Sequence, residues 1–152
     1  MKRVLVLHGP NLNLLGRRET SLYGTASLKA INAGIAKLAK QERIKVETRQ
    51  SNLEGELVTW IQEAEGRFDA IVINPAGYTH TSVAIRDALA AVAIPTVEVH
   101  LTNIYKREAF RHRSYVADVA IGQISGFGPT GYLLAIRAAI DHLKTARPTA
   151  TR

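Results

Sequence analysis

The chain has 152 residues, 46% hydrophobic and 22% charged, a balance that suits one globular domain with a sizeable core and excludes a disordered chain. It has no cysteine, which excludes a disulfide frame and any thiolate metal site. The net charge of +7, from 20 Lys and Arg against 13 Asp and Glu, is spread along the chain without a lysine-rich tract carrying aromatics, so a small anionic ligand is favoured over nucleic acid.

The N-terminal apolar run, Val4 to Leu7, is too short for a signal peptide or a membrane span, and a cytoplasmic location is expected. Arg3 to Leu7 reads as a strand buried on both faces. About seventeen residues follow, His8 to Gly24 (HGPNLNLLGRRETSLYG), where a strand–helix link ordinarily needs ~2–6. Long ordered loops at strand ends tend to be binding loops or lids. From Ser27 to Glu42, Leu28, Ile31, Ile35 and Leu38 recur at helical spacing, with Thr25 or Ser27 as the cap. Ile44 to Thr48 is a second strand. Ser51 and Glu54 have capping-box spacing, and Leu53, Leu57, Trp60, Ile61 and Ala64 line one face of the next helix.

Asp69 to Ile73 is a third buried strand, Thr81 to Val92 a helix, Thr96 to His100 a fourth strand and Val119 to Ile124 a fifth. Pro129 opens a last helix with Leu133, Ile136, Ile140 and Leu143 as its buried stripe. The expected organisation is one domain over residues 1–144 and a disordered tail over 145–152. Strands alternating with helices argue an α/β three-layer sandwich, a parallel sheet covered on both faces with its ligand site at the carboxyl ends of the strands.

Three connections fall on that rim and carry the chemistry. In the first, Arg18 near Tyr23 would favour a phenolate, since tyrosine alone has a pKa of about 10 and is a poor base at neutral pH; a tyrosine packed under the loop fits the same residues. Asn11 either holds a water or an oxyanion or satisfies its own turn. In the second, Asn74 and His80 flank NPAGYTH, suited to hydroxyl recognition or to turn and capping chemistry, and Asp87 follows on the next helix. In the third, Glu98 and His100 share one side of a strand, because side chains alternate with period two. A carboxylate beside an imidazole favours the protonated acid. Leu101 and Thr102 follow with backbone N–H groups and a hydroxyl for a carboxylate, and Arg111 offers a charge-assisted contact.

Two patterns are decoys. Gly126 to Gly131 matches G-x-G-x-x-G, but Pro129 removes an N–H that a phosphate would need, and a packing turn is the better reading. The five histidines lack metal-ligand spacing on any one element, which argues against a metal.

Taken together, GPNLNLLGRRETSLYG, NPAGYTHTS, EVHLTN and REAFRHRSY closely resemble the type II 3-dehydroquinate dehydratase family, over roughly residues 3 to 144. Tyr105 is a departure, standing where histidine is common in the family. The resemblance implies a flavodoxin-like sheet of order 2-1-3-4-5 and a single catalytic domain. It implies anti dehydration of 3-dehydroquinate to 3-dehydroshikimate through an enolate, in the shikimate pathway to aromatic amino acids, without metal or cofactor. It assigns Tyr23 as the base, Arg18 as its activator, Asn11 as holder of an enolate-stabilising water, and His100 as the acid supported by Glu98. Asn74, His80 and Arg111 bind ring hydroxyls, Leu101 and Thr102 bind the carboxylate, and Asp87 reaches a neighbouring subunit in a homododecamer of four trimers. The same reaction in quinate catabolism is an alternative. A flavodoxin-like binding module is another, but GPNLNLLGRRE lacks a Ser/Thr-rich phosphate loop, and no aspartate ends the third strand for phosphorylation.

Overall fold

In the computed structural model the described residues are 1–17 and 19–146. Arg18 and the tail residues 147–152, both subjects of the expectations above, lie outside them. Five strands form one all-parallel sheet: β1 (Arg3–His8), β2 (Lys45–Gln50), β3 (Ala70–Asn74), β4 (Thr96–His100) and β5 (Gly122–Ser125). Their order is β2-β1-β3-β4-β5, the flavodoxin-like doubly wound arrangement. The helices are α1 (Thr20–Tyr23), α2 (Leu28–Glu42), α3 (Glu54–Glu63), α4 (Val83–Val92) and α5 (Pro129–Thr145).

The strand residues divide by parity. Val4, Val6, Val72, Val97 and Val99 join one core with Ile31, Ile35 and Leu38 of α2 and Ile136 and Ile140 of α5. Leu5, Leu7, Ile71 and Ile73 join the other with Leu57 and Ile61 of α3 and Ile85 and Leu89 of α4. Continuous apolar runs such as VLVL are thus required, because both faces of each inner strand are covered. Each fully buried side chain of this kind contributes roughly 1.5–3 kcal/mol. None of the helices among the described residues is long and apolar enough to cross a membrane.

Several boundaries differ from the sequence reading. Ser27 is the cap of α2, accepting the Ala30 N–H at 3.1 Å. Ser51 and Glu54 form no capping box: Ser51 Oγ accepts the Leu53 N–H at 2.9 Å in the preceding turn, and Leu53 itself is exposed. Helix α4 starts two residues later than expected because Ser82 caps it through the Ile85 N–H. Val119 and Ala120 are not strand. Their N–H groups close a turn on the Val116 carbonyl, and pairing to β4 begins only where the Ile121 N–H reaches the Thr96 carbonyl. In α5 the fully buried stripe includes Tyr132, Ala135 and Ala139, while Leu133 and Leu143 are half-buried. Thr145, expected in the tail, ends α5 with its hydroxyl on the Asp141 and His142 carbonyls.

The long first connection is an anchored structure. Leu12 and Leu15, in and just after a 3-10 turn, are buried in the core with α2. Asn11 takes a left-handed conformation, which asparagine tolerates, and its N–H is held by Asn52 Oδ1 at 2.9 Å. Gly9 lies against the turn after β3, donating to the Asn74 carbonyl at 2.8 Å. A Cβ there would come within 2.5 Å of the Pro75 carbonyl oxygen. Gly9→Ala is therefore expected to cost about 1–3 kcal/mol in denaturant titration, as overpacking does. Gly55→Ala, inside α3 where a new Cβ meets nothing within 4 Å, is expected to stabilise by about 0.5–1 kcal/mol. Equal stabilities for the two variants would show that the first and second rim turns are not pressed together.

Candidate active site

A cavity of about 140 Å³ opens at the carboxyl edge of the sheet. Pro10, Asn11, Leu12, Leu15 and Tyr23 line it from the first connection, Asn74, Ala76, Gly77 and His80 from the second, and His100, Leu101, Thr102, Ile104, Arg107 and Arg111 from the third. Every sequence-predicted site residue lies on this wall except Arg18, Glu98 and Asp87. Arg18 is outside the described residues. Glu98 is fully buried behind His100. Asp87 is on the exposed side of α4, one turn after the exposed Val83, and does not line its own chain's cavity.

The end of β4, where the third connection begins, holds a buried electrostatic pair. His100 Nε2 and Glu98 Oε2 are 2.5 Å apart, and both residues are buried. Gln123 Nε2 donates to the same carboxylate oxygen and Ser114 Oγ to the other, each at 2.7 Å. Burial pushes the Glu98 carboxyl up. The hydrogen bond and charge of His100, with the bonds from Ser114 and Gln123, outweigh it and hold Glu98 below the usual carboxylate range. With Nε2 engaged by Glu98, Nδ1 is the His100 nitrogen left for a ligand.

Arg107 was given no role in the sequence analysis. Its Nη1 donates to the Tyr23 hydroxyl at 2.9 Å, and its guanidinium carbon lies 5.2 Å from the Tyr23 ring centroid. The 3-10 turn Ile104–Lys106 delivers it, capped by Asn103 Oδ1 on the Tyr105 N–H. The sequence signal was its place in a rim connection, at the head of REAFRHRSY. Glu108 Oε2 braces the neighbouring cation, accepting from Arg111 Nε at 2.6 Å.

The middle connection fixes two side chains. Asn74 Oδ1 accepts the Ala76 N–H at 3.0 Å. His80 Nδ1 lies 2.7 Å from the Arg113 carbonyl, an acceptor only, so Nδ1 carries the proton and Nε2 is the imidazole's acceptor. Burial lowers the His80 pKa against that bond, helped by the positive field of His100 and Arg111. The glycine-rich stretch is a packing turn. The Gly126 and Gly128 N–H groups are taken by the His100 and Leu101 carbonyls, at 3.2 and 2.9 Å.

Glu98 generates a stability prediction. An unfolded glutamate titrates near 4.5 and folded Glu98 lower, so its contribution is complete above about 4.5 and is lost as pH falls through the folded value. Glu98→Ala, which strands three donors, is expected to cost on the order of 3 kcal/mol at neutral pH and to flatten that acid limb. Denaturant titrations from neutral to acid pH check it; an unchanged limb would mean that Glu98 is not the group responsible.

A family model described as dehydroquinase class II matches residues 2–140 of the chain. The 3-dehydroquinate dehydratase of Geotalea daltonii is 58% identical over 93% of this chain and 99% of its own. That of Acaryochloris marina is 61% identical over 93% and 95%. Among solved structures, the type II dehydroquinase from Butyrivibrio crossotus superposes with a TM-score of 0.90 at 47% identity, covering 91% of this chain and 97% of that one.

Proposed function

We propose that this chain, which belongs to the class II dehydroquinase family, removes water from 3-dehydroquinate to give 3-dehydroshikimate, a step of the shikimate route to aromatic amino acids. The observation that carries the reading is the meeting in one cavity of two hydrogen-bonded groups. One is a tyrosine hydroxyl held by a guanidinium, and the other a histidine held by a buried, three-fold hydrogen-bonded carboxylate.

The C2–H of the substrate is α to the C3 ketone and is the acidic bond. Tyr23, as phenolate, takes that proton, and the C–H electron pair forms the enolate. A guanidinium on a phenolic oxygen favours the phenolate over the phenol. Arg107 occupies that position here, and Arg18 shares the task by the family resemblance. Asn11 holds a water against the enolate oxygen, placing a donor where charge develops. The enolate then collapses and expels the C1 hydroxyl, which leaves as water with the proton carried by His100 Nδ1. Glu98 favours the imidazolium that delivers it. Removal on opposite faces, the anti course, is carried over from the family resemblance, with the base on the first connection and the acid at the start of the third. Asn74, His80 and Arg111 bind ring hydroxyls, and Leu101 N–H and Thr102 bind the carboxylate.

Activity is read directly as absorbance of the conjugated enone after adding 3-dehydroquinate. Tyr23→Phe is expected to fold normally and to lose at least ~10²-fold in kcat, the contribution of a positioned base. Arg107→Met is expected to lower kcat and to move the acid limb of its pH profile upward. A Tyr23→Phe enzyme with most of its kcat would place the base elsewhere, and an unmoved limb would reduce Arg107 to packing.

The proposal includes a cytoplasmic homododecamer built of trimers, in which the exposed Asp87 completes a neighbour's site. Light scattering at assay concentration is expected to give a particle near twelve chains, and Asp87→Ala to lower activity without changing that size. A fully active monomer would overturn the role of Asp87.

A further inference from the structure

His8 is the last residue of β1, is completely buried, and does not line the cavity. Its ring joins three elements. Nε2 lies 2.8 Å from Asn32 Oδ1 on α2, and Nδ1 lies 2.9 Å from the Tyr132 hydroxyl on α5. Tyr132, also fully buried, accepts from Asn74 Nδ2 at 3.1 Å. No step of the reaction proposed above uses His8, Asn32 or Tyr132.

The direction of each bond follows from the one partner that has no choice. The backbone N–H of Ala76 can only donate, so the Asn74 atom facing it is Oδ1 and the atom facing Tyr132 is Nδ2. Nδ2 donates to the Tyr132 oxygen. The single hydroxyl proton of Tyr132 then goes to its other partner, His8 Nδ1, which must be a lone pair. His8 is accordingly neutral, with its proton on Nε2 and given to Asn32 Oδ1. Burial pushes the His8 imidazole down to about 4, in keeping with a neutral ring, and pushes the Tyr132 phenol up. One N–H of Asn74 remains uncommitted, and Asn74 lines the cavity.

We propose that His8 and Tyr132 are positioning residues. With Asn32 they form an oriented hydrogen-bond relay that locks the Asn74 amide so that it presents an N–H, and never its carbonyl, to the substrate. The relay selects a ligand with a hydrogen-bond acceptor at that point. This inference rests on the reading of Asn74 as a substrate-binding residue. The partners of the chain from α2, α5 and β3, namely Asn32, Tyr132 and Asn74, carry no charge, so the neutral state of His8 sets its polarity.

The test uses the full-length enzyme and steady-state kinetics with 3-dehydroquinate. Tyr132→Phe removes only the hydroxyl. It is expected to raise KM about tenfold, the scale of one hydrogen bond, with a smaller change in kcat. In an Asn74→Ala background the same substitution is expected to have no further effect, because its action runs through Asn74. An equal effect in both backgrounds would overturn the relay while leaving the role of Asn74 standing. An Asn74→Ala enzyme with wild-type KM and kcat would overturn both.

A second variant guards against misfolding of the first. Asn32→Asp keeps the shape of a half-buried helix residue and puts a carboxylate on His8 Nε2. A carboxylate there favours the imidazolium, whose Nδ1–H reverses the relay. KM of Asn32→Asp is expected to rise as pH falls below neutrality more steeply than that of the unmodified enzyme. Parallel KM profiles for the two enzymes would overturn the proposal.

Discussion

Parallel pairing is the constraint on which the rest depends. When all strands run one way, their last residues stand in one row, and the register decides which residues are neighbours. Here Gln50, His8 and Asn74 are aligned across β2, β1 and β3, and His100 and Ser125 across β4 and β5. Because Ile73 pairs with Glu98, His100 and Ser125 stand one residue beyond Asn74, and this stepped edge supplies an amide, an imidazole, an amide, an imidazole and a hydroxyl before any loop contributes. A one-residue slip of β4 would turn His100 and Glu98 to the opposite face and leave a charged group in the apolar layer, a large penalty that specifies the register.

The row carries several buried polar groups, and their bonding shows how that is tolerated. An unpartnered buried polar group costs about 1–3 kcal/mol. Glu98, His8, Asn74 and Tyr132 each have partners from other elements, and His100 is held by Glu98 within β4. Thr79 Oγ1 is the one buried side-chain oxygen or nitrogen without a partner among the described residues. The donors reach Glu98 from His100 on its own strand, Ser114 in the connection and Gln123 on β5, so three parts of the chain converge on one carboxylate.

Parity of apolar residues and helical spacing made every strand and every long helix legible before the structure, because burial on both faces of a sheet leaves uninterrupted apolar runs. Boundaries were less so. The β5 strand was read too early because Val119 and Ala120 are apolar for a different reason: they pack into the core beside α4 from within a turn. Leu53 fits a helical stripe by spacing yet lies exposed, since it precedes the first turn of α3. Strand order was implied only by family resemblance, for periodicity says nothing about which strands are neighbours. Asn11, Tyr23, Asn74, His80, His100 and Arg111 were legible because each sits at the end of a strand or in a connection that a doubly wound sheet must put on its carboxyl edge. Arg107 and Tyr132 were not. One looked like surface charge and the other like a helix residue, and only tertiary contacts separate them from the many that are.

The choice of arginine and of tyrosine at the cavity follows from their acid–base limits. A lysine in place of Arg107 could surrender its proton to a neighbouring phenolate, whereas a guanidinium remains charged throughout the working pH range. Its planar N–H fork also fixes direction, so Arg107 can hold the Tyr23 oxygen and still lie against the ring. Holding such a pair requires that water be kept from screening it. Leu12 and Leu15 serve that end: each is buried, each is worth roughly 2 kcal/mol of anchoring, and both also line the cavity beside Tyr23. The length of the first connection is therefore explained by two tasks, an apolar half that is nailed to the α2 core and a polar half that brings the tyrosine back over the strand ends.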